Sequence, residues 1–205
     1  MDSSFLITAF VTLFVIMDPP GLVPAFLAVT QGLNSRQRRK IALRACLVAI
    51  GVLAVFAAFG DSVLEFVGIS MSAFRVAGGI LLFLTALDML FERRTQRREH
   101  RADDDDHPDP SVFPLAIPLI AGPGAIASVI LLVGQQPGWV GFSWVMLVTC
   151  FVVVLVFVSF LIAGLFERLL GKTGIIVVTR LFGMLLAALA VQFVLDGLKG
   201  FGFAG

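Results

Sequence analysis

The chain has 205 residues, 59% hydrophobic and 14% charged, with a formal net charge of +1 and a mean hydropathy of +1.01; an average soluble domain is roughly 45–50% apolar and about 25% charged. In water a globule of this size would carry large apolar patches, so a soluble fold is excluded. The near-neutral balance, with basic segments that lack interleaved aromatics, also excludes a nucleic-acid partner.

Charge is unevenly placed: Arg36–Arg44 and Glu92–Asp109 hold 17 of the 29 charged side chains, which leaves apolar runs of about twenty residues between them. A helix rising about 1.5 Å per residue needs that length to cross about 30 Å of hydrocarbon. Six spans are predicted, at 4–31, 41–60, 70–91, 112–134, 140–166 and 175–198, which makes the chain an all-α polytopic membrane protein with the lipid bilayer as its solvent. Met1-Asp2-Ser3-Ser4 has neither the positive region nor the cleavage site of a signal peptide, so residues from 5 onward are expected in the mature protein.

Span one is interrupted by Asp18-Pro19-Pro20-Gly21 and Pro24. Asp18 is the only acid near the middle of a span. It suits the N-cap of a second half-helix, and an intramembrane carboxylate also suits a coupling H⁺ or Na⁺ or a substrate ammonium. Thr12, upstream, either hydrogen-bonds a small solute or joins helices. The loop after span one carries Arg36, Arg38, Arg39 and Lys40. Cys46 in span two, like Cys150 in span five, has no metal-ligand spacing and reads as a small buried hydrophobe. Span three carries Arg75 about one turn inside its start and Asp88 near its end. Arg75 either snorkels to the interface or takes part in a gate.

The segment 92–111 reads as a hydrated cytoplasmic linker between two halves, 1–91 and 112–205. His100, Asp103–Asp106 and His107 within it are its one metal-binding alternative. Span four is interrupted at Pro118 and Gly122-Pro123-Gly124, with Ser128 one turn on. These breaks read either as proline kinks that shape packing or as two half-helix pairs around one shared cavity. Trp139 and Trp144 supply an interfacial belt. Span six holds Arg180, Gln192 and Asp196. Lys and Arg fall in the first, third and fifth loops, and the opposite side carries only Lys199, which orients both termini outward.

The halves resemble each other at a nearly constant offset. Pro20-Gly21 matches Pro123-Gly124 at 103, Glu65 matches Glu167 at 102, and Arg75 with Gly78 matches Arg180 with Gly183 at 105; Asp88 and Asp196 match to within about a turn. Three spans per half make this an inverted repeat, with spans one and four broken at corresponding places. Arg75 and Arg180 then sit near opposite faces as candidate gating or charge-pair residues. Asp18, Pro20, Gly21, Pro24, Gly122, Pro123 and Gly124 form the candidate substrate site, the glycines allowing close approach.

A phosphate-binding G-x-x-x-x-G-K-[ST] loop is absent, so the chain does not power transport with ATP by itself. No H-E-x-x-H occurs, and no span contains a His to serve a nucleophile. The chain is expected to be neither an enzyme nor a binder of a cofactor.

The strings Met17-Asp18-Pro19-Pro20-Gly21-Leu22-Val23-Pro24, Ala73-Phe74-Arg75-Val76-Ala77-Gly78-Gly79, Ala86-Leu87-Asp88-Met89-Leu90 and Pro118-Leu119-Ile120-Ala121-Gly122-Pro123-Gly124 together resemble the MarC family of integral membrane proteins over essentially the whole chain. The resemblance implies six transmembrane helices, the inner membrane, kinship with LysE-type exporters, and relatives described as transporters of small neutral amino acids such as glycine and alanine. Asp18, Pro19, Gly21, Pro24, Arg75, Gly78, Gly79, Gly122, Pro123 and Gly124 stand where the family strings have them. Pro20 departs, in place of a bulkier aliphatic residue. The expected function is secondary transport or export of a small neutral amino acid by alternating access, with H⁺ or Na⁺ as coupling ion. An ion or proton channel and a non-transporting scaffold are the alternatives, and a homodimer and a single bundle both stay open.

Overall fold

The computed structural model describes residues 3–91, 110–136 and 138–202. They form eight helical segments: α1 (Ser3–Met17), α2 (Pro19–Val29), α3 (Ser35–Val67), α4 (Met71–Leu90), α5 (Ser111–Ile120), α6 (Pro123–Gln135), α7 (Trp139–Leu161) and α8 (Ala163–Lys199). No strand occurs among the described residues. The expected linker 92–111, with its candidate metal residues, lies outside them except for its last two positions. No group of metal-ligating side chains occurs among the described residues.

Five stretches are long and apolar enough to cross a membrane: Ser3–Val29, Ser35–Gly60, Met71–Leu90, Trp139–Leu161 and Thr173–Lys199. A sixth is the pair α5 and α6, bent by 55°. Local chemistry sets several boundaries. Asn34 and Gln37 close a capping box at the start of α3, with bonds of 2.9 and 3.1 Å. Its end is a Schellman turn: Gly68 takes φ 78, and the Ile69 N–H reaches the Leu64 carbonyl at 2.8 Å. Ser70 then caps α4 through the Ala73 N–H at 3.1 Å.

Three predicted limits move. Span five, expected to run to 166, ends at Leu161, because α8 begins at Ala163. Residues 163–170 form a separate turn of helix, cut from span six at Gly171 by φ 61 and ψ 178, a conformation that favours glycine. The first half of span four is not a regular α-helix. Pro114 and Pro118 each remove a helical donor, Phe113 and Ile117 are extended, and wide i to i−5 bonds replace the normal ladder, as from Ala121 N–H to the Ala116 carbonyl at 2.8 Å.

The broken spans lie inside. In span one 67% of the most apolar window is buried by protein, against 28% in Met71–Leu90 and in Thr173–Lys199. Contacts run between the halves in exchanged fashion: α1 and α2 pack on α7 and α8, while α5 packs on α3 and α6 on both α3 and α4. Two further pairs, α3 with α7 and α4 with α8, join corresponding elements, and α1 with α6 and α2 with α5 join the broken spans. The α4–α8 seam is close because glycine sits in it. A Cβ on Gly79 would lie 2.8 Å from the Ala190 carbonyl, and one on Gly183 would lie 3.0 Å from the Met89 Cβ. Large apolar residues such as Phe59, Phe66, Phe83 and Phe151 cover the outer surface, as lipid contact requires.

Candidate functional site

The first break is a single residue. Asp18 takes the left-handed conformation (φ 51, ψ 65), and its Oδ1 accepts from the Gly21 N–H at 3.1 Å, making it the N-cap of α2. Pro19 and Pro20 have no N–H to offer, and the Gly21 N–H is turned to the Asp18 side chain. The carbonyls of Val15 and Met17 therefore lack their helical donors, and both residues are buried. The last turn of α1 is a buried, electron-rich edge.

The second break, at Ala121 and Gly122, has no side-chain cap. Pro123 opens α6, and the Gly124 and Ala125 N–H groups fall in its first turn, where no intrahelical carbonyl can reach them. Gly122 is required by its own backbone: a Cβ there would lie 2.7 Å from the Pro118 carbonyl oxygen. Gly124 faces span one, with its Cβ direction 3.4 Å from Ile16 Cγ2 and from Leu82 Cδ2 and 3.6 Å from Thr85 Oγ1. The last turn of α1 thus packs, through the Ile16 side chain, on the first turn of α6, and α2 touches α5 in the reciprocal contact.

Asp18 is fully buried and is held from the other half of the chain. The Thr179 hydroxyl donates to its Oδ2 at 3.2 Å and lies 3.5 Å from Oδ1. Sequence reasoning missed Thr179; the one available signal was its place beside Arg180. Pro20 and Gly21 are buried beside Asp18. Pro24 lies inside α2 and is half-buried.

Thr12 and Ser128 are fully buried, and neither hydroxyl has a hydrogen-bond partner. Gly78 meets Leu131 while Gly124 meets Leu82 and Thr85, so α4 and α6 run antiparallel. Span one runs with α4, hence against α6. With Ile16 opposite Gly124, Thr12 and Ser128 come to the same level, one turn from the breaks.

A cavity of about 520 Å³ touches Pro118, Ala121 and Pro123 of the second break and no residue of the first; Phe56, Phe59, Phe74 and Leu81 line it with other apolar side chains. Arg75 and Arg180 lie toward opposite ends of the antiparallel α4–α8 seam, about 16 residues apart in level, roughly 24 Å of helix. Arg75 is half-buried with an unpartnered Nε, and Arg180 is exposed on the outer surface. Gln192 spends its amide on Asp196 at 2.8 Å and does not face the breaks.

The sequence profile described as MarC family integral membrane protein matches residues 3–201. The UPF0056 membrane protein of Archaeoglobus fulgidus is 39% identical over 95% of this chain and 92% of its own length. UPF0056 membrane protein YvbG of Bacillus subtilis is 36% identical over 98% and 97%. UPF0056 inner membrane protein YhgN of Escherichia coli K12 is 36% identical over 95% and 96%. No solved structure matches the chain. With its spans, both breaks and nearly its full length accounted for, the chain belongs to the MarC family of integral membrane proteins, in the cytoplasmic membrane.

Proposed function

We propose that the chain is a secondary transporter or exporter of a small zwitterion, a small neutral amino acid, working by alternating access between two inverted three-helix repeats. One observation carries the reading: the two breaks adjoin, with the last turn of α1 packed through Ile16 against Gly124 in the first turn of α6. An ammonium group suits the carbonyl end of α1 and a carboxylate the N–H end of α6. The exchanged contacts between the halves support the inverted repeat, since each broken span can then move against the opposite half. Asp18 is the receiver of a coupling H⁺ or Na⁺. Transport of this kind asks no chemical step of the chain, and one copy supplies both breaks.

Flux of labelled glycine and alanine into proteoliposomes, with and without a proton or sodium gradient, tests it. Saturable flux with counter-exchange is expected. Ohmic current without exchange would make the chain a channel, and no flux of any solute in a broad panel, in protein shown to be folded, would leave a scaffold.

A further inference from the structure

Span one ends, span two begins and span five ends around a small polar cleft, away from both breaks. It has a volume of about 130 Å³ and is lined by Phe26, Ser35, Arg38, Arg39, Phe160 and the backbone at Ala163 and Gly164. Its floor is rigid: the Phe26 and Phe160 rings stack at 4.3 Å, 10° from parallel. Arg38 is pre-positioned, because its Nε donates to the Thr30 carbonyl at 3.2 Å and fixes the guanidinium plane. The lining contains no carboxylate, and among the described residues neither Arg38 nor Arg39 has an ion-pair partner.

Positive loops that only set topology need no such arrangement: Arg38 is half-buried and held by a backbone carbonyl, whereas Arg36, Arg39 and Lys40 are exposed. Two guanidiniums beside an aromatic pair, with Ser35 also in the lining, match a tetrahedral oxyanion with several acceptor oxygens. The cleft lies where membrane spans end, at headgroup level. We propose that this cleft binds a phosphate group, supplied by an anionic phospholipid headgroup or by free phosphate.

The test uses the full chain purified in mixed micelles. Phosphatidylglycerol retention relative to phosphatidylcholine is read by native mass spectrometry. Thermal midpoints are compared in inorganic phosphate and in chloride at matched ionic strength. Three variants accompany the wild type: the double substitution R38Q/R39Q, Gly164→Asp, and Arg36→Gln as a control outside the cleft. A Cβ on Gly164 meets nothing within 4 Å, so an aspartate there adds negative charge without a clash. Retention of phosphatidylglycerol is expected to fall about tenfold in the first two variants and to hold in Arg36→Gln. Stabilisation by inorganic phosphate alone, lost in the same variants, would identify free phosphate as the source. If the double variant fails to fold, Gly164→Asp decides. Wild-type behaviour of Gly164→Asp toward both probes overturns the proposal, whatever the glycine flux of the same protein.

Discussion

Thr179 donates its hydroxyl to Asp18 across 161 residues of sequence. Moved by the repeat offsets of 103 and 105, the two positions become Ala121 and Phe74, and both line the apolar cavity at the second break. One break is closed by a polar contact and its counterpart opens beside an apolar hollow. The two breaks therefore differ in their surroundings at the place where the halves are most alike in sequence.

Removing either side of that contact separates stability from coupling. Thr179→Val takes a donor from a buried carboxylate and should cost about 1–3 kcal/mol, read as a lower thermal midpoint. Asp18→Asn keeps an acceptor for the Gly21 N–H, so folding should survive while solute flux stops responding to the proton gradient. Asp18→Asn flux that still follows the gradient would remove Asp18 from coupling.

Gly124 has room for a methyl group and little more, with Ile16 and Leu82 at 3.4 Å. Gly124→Ala should retain most of the thermal stability and part of the flux. Gly124→Leu should abolish flux, since its side chain would fill the space between the α1 and α6 edges. Equal flux in both variants would place the solute path elsewhere.

Thr12→Val and Ser128→Ala each remove a buried hydroxyl that has no partner. Replacing an unsatisfied group by an apolar one of similar shape is neutral or stabilising, so thermal midpoints should hold or rise. Loss of one solute hydrogen bond should raise KM by about three- to tenfold. An unchanged KM would make both hydroxyls structural.

On the α4–α8 seam, Gly79→Val drives a branched side chain toward the Ala190 carbonyl. Overpacking of this kind costs about 1–3 kcal/mol. The midpoint should drop whether or not solute is present, in contrast to the variants at the breaks.

Orientation is open to direct labelling. Arg36→Cys should react with a membrane-impermeant thiol reagent only from the cytoplasmic side, and Lys199→Cys only from outside. The reverse pattern would invert the topology read from Lys and Arg.

The spans are legible in the sequence because hydropathy reports them directly, and so is the cap at Asp18, since Asp-Pro-Pro-Gly fixes a half-helix start by local chemistry. Thr179 is not, because a hydroxyl in an apolar run says nothing of a partner in the other half. Two breaks at matching depth suggest a shared cavity. In the fold those breaks meet through Ile16 and Gly124 with side chains between them, and only packing decides how much space remains. The break at Gly171 falls in the loop expected between spans five and six, but its sequence does not show that the residues before it are helical. The inequality of the two breaks is already present in the offset, as Asp18 against Ala121.

Burial of the first span also bears on how the protein is made. Span one emerges before the spans that enclose it, and the hydroxyl that steadies its carboxylate is synthesised 161 residues later. At about 5–20 residues per second that partner is missing for roughly ten to thirty seconds, while a polar, donor-poor break has only lipid or the insertion machinery beside it. Span one is thus inserted provisionally and takes its final seat only when the second half arrives to enclose it.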